Sequence, residues 1–183
     1  MKVKDIVVKA CDFVGKDDLA NALREGQDLS ADFTALQNKL IKCFNLVREE
    51  IASEYQPLMQ VEKFVVKNFK LEMSAFSKDV LEIYSIKDRY GRNVHYKIFD
   101  DYIFVCGKDV EVIYSTPASQ LSIDDDFSSN LPERVFAYGV AREFFFLNGL
   151  YEDANMWEDR FKGSLQILLR RKSEVRMPRR SWI

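Results

Sequence analysis

The chain has 183 residues, a length that suits one compact domain or one domain with a small subdomain. Hydrophobic residues make up 47% and aromatic residues 13%, which excludes an intrinsically disordered protein. The net charge is −2, but residues 170–183 carry +5 and so leave −7 on residues 1–169. An acidic body excludes a general nucleic-acid binder, and the basic end favours charge-steered association with an acidic surface.

The cysteines are Cys11, Cys43 and Cys106, and their wide spacing without any CxxC or Cys/His grouping argues against zinc. Each lies in an apolar pattern and is predicted to be a small buried residue in a reducing compartment. The N-terminal "MKVKDIVVKAC" carries charges through its apolar stretch, unlike a signal peptide. Since no run reaches the roughly 18 apolar residues of a membrane span, we expect a soluble protein of cytoplasmic origin without a membrane partner.

Three helices are predicted in residues 1–57. Apolar residues recur at helical spacing over residues 3–14, and a shorter helix follows at about 16–25. Ser30 can cap a long third helix that Pro57 closes. The apolar stripe of this third helix consists of Phe33, Leu36, Leu40, Phe44, Val47 and Ile51.

The apolar period changes from helical to two over residues 58–116. The predicted strands are "KFVVKNFKLEM", "KDVLEIYSIKD", "NVHYKIFD", "DYIFVCG" and "DVEVIYST". The breaks between the later strands have lengths expected of hairpin connections. We predict an antiparallel meander that forms a small sheet or sandwich. One face of it would carry Tyr96, Ile98, Ile103, Val105, Val110 and Val112.

Two helices are predicted after the polar connector "TPASQLSIDDDFSSN". The fourth helix begins near Leu131 with Pro132 at its first position and ends at the "NG" of residues 148 and 149. The fifth runs over about 151–172, and the short break makes the pair an antiparallel hairpin.

The predicted fold class is therefore α+β. Residues 1–57 and 121–172 form a helical bundle, residues 58–120 an inserted antiparallel β lobe, and residues 173–183 an extended C-terminal arm. The helix–strand alternation of a parallel α/β enzyme is missing.

No catalytic signature stands out in the sequence. The single histidine, His95, lies in a strand pattern without a paired nucleophile, which favours an ordinary strand residue over a hydrolase that uses His95 and nearby aspartates. Asp124–Asp126 lack the ligand order of a calcium loop, and Trp157 and Phe161 are more typical of a core than of a ligand box. Phosphate-loop and dinucleotide fingerprints are also missing, so no cofactor is expected.

The C-terminal "RRKSEVRMPRRSWI" is the segment predicted to bind a partner. Pro178 blocks a continued helix, and burial of Trp182 and Ile183 would stabilise a docked segment by roughly 3–5 kcal/mol. Nucleic acid is the rival ligand for its basic residues, although one aromatic residue supports base stacking weakly. The predicted binding residues are Arg170, Arg171, Arg176, Pro178, Arg179, Arg180, Trp182 and Ile183.

The segment "LPERVFAYGVAREFFFLNGLYEDANMWEDRFKGSLQILLRRK" resembles tailed-bacteriophage head-to-tail connector proteins of the gatekeeper or tail-tubular type. The similarity lies in the leucine–proline start, the "YGVA" centre, the acidic–alanine entry to the next helix, and "MWEDRF". The upstream "YKIFDDYIFVCGKDVEVIYSTP" and the ending "MPRRSW" are also similar to that family. The resemblance covers residues 78–183 in pattern, but residues 1–57 only in helix layout.

This resemblance implies a non-enzymatic virion protein that is assembled in the host bacterial cytoplasm. Copies would form a ring, commonly of twelve, that binds the portal protein and the tail or neck proteins. The ring would extend the channel through which double-stranded DNA passes without sequence readout, and an acidic body is compatible with that role. The alternative is a small DNA-binding or packaging accessory protein that uses its basic C-terminal tail.

Overall fold

The structure, a computed structural model, describes residues 1–170 of the chain. Five α-helices and two small antiparallel sheets in this range make the fold α+β, as the sequence predicts. The chain divides into two compact units. Among the described residues, the first unit, the helical unit, consists of Met1–Arg48 and residues 120–170, and the second, the β unit, is Glu49–Ser119.

The helices match the predicted ones closely. Gly15 and Gly26, which follow the first two helices, both adopt φ 68°, and the Ser30 hydroxyl accepts a hydrogen bond from the Phe33 amide at 3.3 Å. The third helix continues into a π-helical turn, Ile51–Tyr55, just before Pro57. The helices are α1 (Val3–Phe13), α2 (Asp17–Glu25), α3 (Ala31–Glu50), α4 (Glu133–Leu147) and α5 (Tyr151–Arg170).

The helical unit is built around α4. Helix α1 packs against α2 and α4, and α4 packs against α5. Gly139 brings α4 close to α3, because a Cβ atom there would lie 2.6 Å from Cγ1 of Val47. Trp157 and Phe161 are buried, which confirms their predicted place in the core. The predicted start of α4 is corrected by one position, since extended Pro132 (ψ 148°) precedes the first helical residue.

The β unit holds two three-stranded antiparallel sheets, the sandwich alternative of the prediction, but their strand orders are not those of a simple meander. Sheet I has the order β1-β6-β3 and sheet II the order β2-β5-β4, and every pairing is antiparallel. Strand β6 takes the centre of sheet I because it is the most buried strand, with Val110, Val112 and Tyr114 inside. The strands are β1 (Leu58–Val65), β2 (Lys70–Glu72), β3 (Glu82–Asp88), β4 (Tyr96–Ile98), β5 (Tyr102–Val105) and β6 (Asp109–Thr116).

The predicted strand "KFVVKNFKLEM" is two strands with a turn between them. Asn68 and Phe69 adopt left-handed φ angles of 52° and 59°, and the Lys70 amide donates to the Lys67 carbonyl at 3.0 Å. Asparagine tolerates this region better than most residues, so its position marks where β1 separates from β2.

The β unit has one core that both sheets share. The predicted face is therefore split between sheets: Tyr96 and Ile103 come from sheet II, and Val110 and Val112 from sheet I. Ile98, predicted to join them, is exposed instead. The core consists of Val66, Leu71, Ile83, Ile86, Ile103, Val105, Val110, Val112 and Tyr114.

Candidate assembly surfaces

The predicted partner-binding segment begins at Arg170, the last residue of α5. Its other members, Arg171, Arg176, Pro178, Arg179, Arg180, Trp182 and Ile183, lie outside the described residues. Within residues 1–170, two exposed apolar surfaces are suited to contact with another protein. The first is at the turn of the α4–α5 hairpin, and the second is along β1.

The hairpin tip, which we define as Phe146, Leu147, Leu150 and Tyr151, is the first surface. The exposed fractions of these residues are 58%, 52%, 49% and 61% in that order. The Phe146 and Tyr151 rings meet edge to face with centroids 5.6 Å apart. Scattered exposed apolar residues are normal on soluble proteins, but four large ones on a single turn form a contiguous patch typical of an interaction site.

The backbone of the turn holds the tip in a defined shape. Gly149 adopts φ 74°, and the amides of Asn148 and Leu150 both donate to the Phe145 carbonyl, at 3.1 and 3.0 Å. The Asn148 side chain donates to the Phe144 carbonyl at 2.7 Å. These bonds satisfy carbonyls that the end of α4 would leave unpaired, so the tip residues project from an ordered turn.

Helix α3 braces the base of the tip. The Lys39 ammonium group donates to the Asn148 side-chain oxygen at 2.6 Å and lies 5.3 Å from the centre of the Phe144 ring. Each contact is modest at an exposed site, about 0.5–1 kcal/mol. Together they fix the orientation of the turn within the helical unit.

An ion-pair network joins the two helices behind the tip. Arg142 of α4 contacts Glu143 at 2.6 Å and Glu158 of α5 at 2.8 Å, and its guanidinium group lies over the Phe161 ring at 4.9 Å. Burial raises the pKa of Glu158, but hydrogen bonds from Lys162 and Arg142 outweigh it and leave the pKa below its ordinary value. The ion pair between Arg142 and Glu158 therefore joins the two helices of the hairpin and is intact at neutral pH.

The β1 edge is the second surface. Among the described strands, β1 pairs with β6 alone, so its other side is open. Met59, Val61 and Val65 on this strand are 44%, 56% and 66% exposed. A long, apolar and unpaired edge strand is a template for another strand, which natural proteins usually cover or interrupt.

The residues considered for catalysis and for calcium binding, His95 and Asp124–Asp126, belong to different units. His95 is exposed and precedes β4, where its carbonyl accepts a hydrogen bond from the Cys106 amide at 3.1 Å. Asp124–Asp126 are exposed, and the carboxylate of Asp125 accepts a hydrogen bond from the Ser122 amide at 2.7 Å. Residues 1–170 contain no cluster of three histidine, cysteine or acidic side chains able to hold a metal ion.

A cleft of about 520 Å³ opens at one end of sheet I. Its lining combines Lys63 and Arg89 with three acidic residues, of which Asp88 and Glu111 already have partners. The Asp88 carboxylate, for example, accepts hydrogen bonds from the Tyr90 and Arg92 amides at 2.8 and 3.0 Å. The backbone bond from Arg92 is the largest cause that lowers the pKa of Asp88. This carboxylate thus shapes a turn rather than facing a substrate.

Two further properties bear on function. No α-helix in residues 1–170 is both long and apolar enough to cross a membrane. Cys106, predicted to be buried, is exposed because it follows the end of β5, whereas Cys11 and Cys43 are buried as predicted. Burial raises the pKa of these two thiols to about 12 and about 11.

Sequence reasoning did not identify either exposed surface. The "FFFLNGLY" run around the tip carries a signal, since a helix end and a glycine turn are flanked by more apolar residues than one buried face requires. The β1 edge carries none, because the order of strands in a sheet depends on tertiary pairing.

Comparisons with known proteins add no family assignment. No model of a known protein family matches the chain, and no curated protein matches its sequence.

Proposed function

We propose that this protein is a structural adaptor of a tailed-bacteriophage virion, one subunit of a ring that joins the portal to the tail and extends the DNA channel. The proposal combines the resemblance of residues 78–183 to head-to-tail connector proteins with the surfaces described above. It assigns the chain no reaction, no metal and no cofactor. Its partners are further copies of itself, the portal protein and the tail or neck proteins.

The observation that carries the proposal is the hairpin tip on its braced turn. An adaptor has to present a fixed apolar surface that becomes buried on assembly, and Phe146, Leu147, Leu150 and Tyr151 form such a surface. Burying the half-exposed remainder of each side chain would contribute about 1 kcal/mol. The tip lies within the segment that resembles the connector family, which is why we assign the portal as the partner that covers it.

Charge supports the passage of DNA rather than its capture. Residues 1–169 sum to −7, so a channel formed by this body would repel the phosphate backbone. The accessory-protein alternative relies instead on the +5 of residues 170–183. The two functions therefore place the decisive contacts on different parts of the chain.

The test is binding of the full chain to purified portal protein of the same phage, with Phe146→Ser/Leu150→Ser as the variant. Losing two contacts of about 1 kcal/mol each should weaken binding roughly tenfold to thirtyfold. Ile167→Ser is the matched control, because Ile167 is an equally exposed apolar residue of α5, 59% exposed, but lies far from the tip. It should bind portal like the wild type.

Light scattering or negative-stain images of the portal mixture would measure this binding. A wild-type chain that remains a monomer and never joins portal contradicts the adaptor function. A wild type that joins portal while the double variant binds equally well leaves the adaptor function standing and removes the tip from the interface.

A further inference from the structure

The open edge of β1 presents a defined set of backbone groups. The Val66 amide donates to the Lys108 carbonyl of the neighbouring strand at 2.7 Å, and the register pairs Leu58 with Thr116. In an antiparallel ladder alternate residues bond to the same neighbour, so the even residues of β1 bond to β6. The N–H and C=O groups of the odd residues Met59, Val61, Lys63 and Val65 therefore point away from the sheet.

The opposite edge of sheet I is covered by the chain itself. The Val94 amide donates to the Ile86 carbonyl and the Asp88 amide to the Arg92 carbonyl, both at 2.8 Å. Residues 92–94 thus occupy the outer side of β3, while β1 has no comparable cover among the described residues. The edge of β1 is eight residues long, about 27 Å.

The C-terminal arm, residues 173–183, has the properties of a strand that could cover this edge. Its eleven residues would span about 37 Å when extended, enough to pair along all of β1. Pro178 has no N–H, so an edge strand tolerates it only where that position faces away from its neighbour. This restriction directs the backbone groups of the odd arm residues, including Val175, Met177 and Ser181, toward β1.

Antiparallel pairing then matches the side chains on both faces. Directly opposed residues share a face, so odd arm residues lie beside Met59, Val61, Lys63 and Val65. This brings apolar Val175 and Met177 to a mainly apolar face, on which Arg179 is the one arm residue with the same charge as Lys63. The even arm residues, which include Arg176 and Arg180, then lie on the face of the sheet that holds Glu62 and Phe64 of β1. Parallel pairing would reverse the faces and place both arginines beside Lys63.

Charge favours the same pairing. The β unit, residues 49–119, has twelve acidic and nine basic side chains, a net of −3 with histidine neutral. The arm has three arginines and one glutamate, a net of +2. The attraction between the arm and the β unit is modest in water. Pairing of β1 with a second β1 would instead bring two acidic units together, and their repulsion opposes it.

We propose that residues 173–183 of one copy add as an antiparallel strand to β1 of a second copy. This inference rests on the proposed ring-forming function. Donor and acceptor are different parts of the chain, so the contact is head-to-tail, the type of interface that closes into a ring. Each added strand completes a four-stranded sheet in its neighbour and removes the open edge.

The test is amide hydrogen exchange of the full chain, followed by NMR at low and at near-millimolar concentration. The amides of residues 59, 61, 63 and 65 should exchange at least about tenfold more slowly at the higher concentration, because a second copy then pairs with them. The amides of residues 60, 62 and 64, which bond to β6, serve as the internal control and should be protected at both concentrations.

Two proline variants test whether the odd or the even arm residues bond to β1, which we call the phase of the arm. Ser181→Pro removes an N–H that faces β1 and should abolish the concentration-dependent protection. Arg180→Pro places proline at an outward position, like Pro178, and should lower protection only as far as Arg180→Gln does. Equal effects of Ser181→Pro and Arg180→Pro would overturn the assigned phase.

Three other outcomes overturn the proposal. Fast exchange of the odd amides at every concentration means that β1 stays open. Protection that does not depend on concentration assigns the arm to its own chain, and protection that requires added portal assigns the edge to that partner. Normal portal binding by the wild-type chain, with its odd amides still exchanging fast, removes this contact but leaves the adaptor function intact. Conversely, concentration-dependent strand pairing in a chain that never binds portal supports the contact but contradicts the adaptor function.

Discussion

Gly139 and Gly163 both lie inside helices of the hairpin but have opposite surroundings. A Cβ atom on Gly139 would lie 2.6 and 2.9 Å from the two methyl groups of Val47 and 3.1 Å from the Phe161 ring. At Gly163 no described atom lies within 4 Å of such a Cβ atom. Only the first glycine is therefore required for close helix packing within the helical unit.

Replacing each glycine by alanine should move stability in opposite directions. Gly139→Ala forces Val47 apart from α4 and should lower the free energy of unfolding by roughly 1–3 kcal/mol. Gly163→Ala, the matched control, only restricts the unfolded chain and should raise it by about 0.5–1 kcal/mol. Urea denaturation of both variants measures the difference. A Gly139→Ala protein as stable as the wild type would contradict the tight contact between α3 and α4.

At the scale of elements, Glu62 ties β1 to two other parts of the β unit. Its carboxylate accepts hydrogen bonds from the Ser77 hydroxyl and from the Tyr114 hydroxyl of β6, and the Ser77 amide donates to it at 3.2 Å. The Ser77 hydroxyl is the largest cause that lowers the pKa of Glu62 below 4.5, followed by Tyr114. Burial, followed by the bond to Glu62, raises the pKa of Tyr114.

This arrangement predicts an acid-sensitive contribution to stability. Because the folded pKa of Glu62 lies below its unfolded value near 4.5, the carboxylate stabilises the fold above that pH and loses its effect as pH falls through the folded pKa. Glu62→Gln should therefore be less stable than the wild type at pH 7, and the gap should narrow below about pH 4. Unfolding free energies between pH 7 and pH 3 measure it. A constant gap across that range would mean that the ionised carboxylate is not the stabilising form.

The sequence predicted helices better than strand order. The stripe at 3.6-residue spacing and end signals such as Gly26 act locally, and they fixed all five described helices to within a few residues. The place of β6 between β1 and β3 depends on contacts distant in sequence, which a period of two does not encode. The turn at Asn68 interrupted a pattern that otherwise continued as a strand.

The candidate site was predictable only in part. The predicted binding segment from Arg171 onward lies outside the described residues, so that prediction stays untested. Exposure of the hairpin tip depends on which face of α4 the other helices cover, and α4 is apolar on most sides. Its sequence therefore does not show which of Phe144, Phe145 and Phe146 is left in solvent.

At the scale of the whole molecule, the uneven charge separates the two proposed functions. An accessory protein that uses residues 170–183 would neutralise about five phosphates, so the logarithm of its DNA affinity would fall with the logarithm of salt concentration at a slope near −4.5. In the proposed adaptor, the arm, with a net charge of +2, would be engaged by protein, and residues 1–172, with a net charge of −4, would face the DNA.

We therefore expect the full chain to show no measurable binding to random-sequence double-stranded DNA at about 150 mM salt, and at most weak binding at low salt. Fluorescence anisotropy of a labelled duplex across a salt series measures this. A chain truncated after Lys172 is the control: it keeps Arg170, Arg171 and Lys172 but lacks the arm. Tight binding with a slope near −4.5 that falls sharply on truncation would favour the accessory protein, because in that case the arm's arginines contact phosphates rather than a neighbouring subunit.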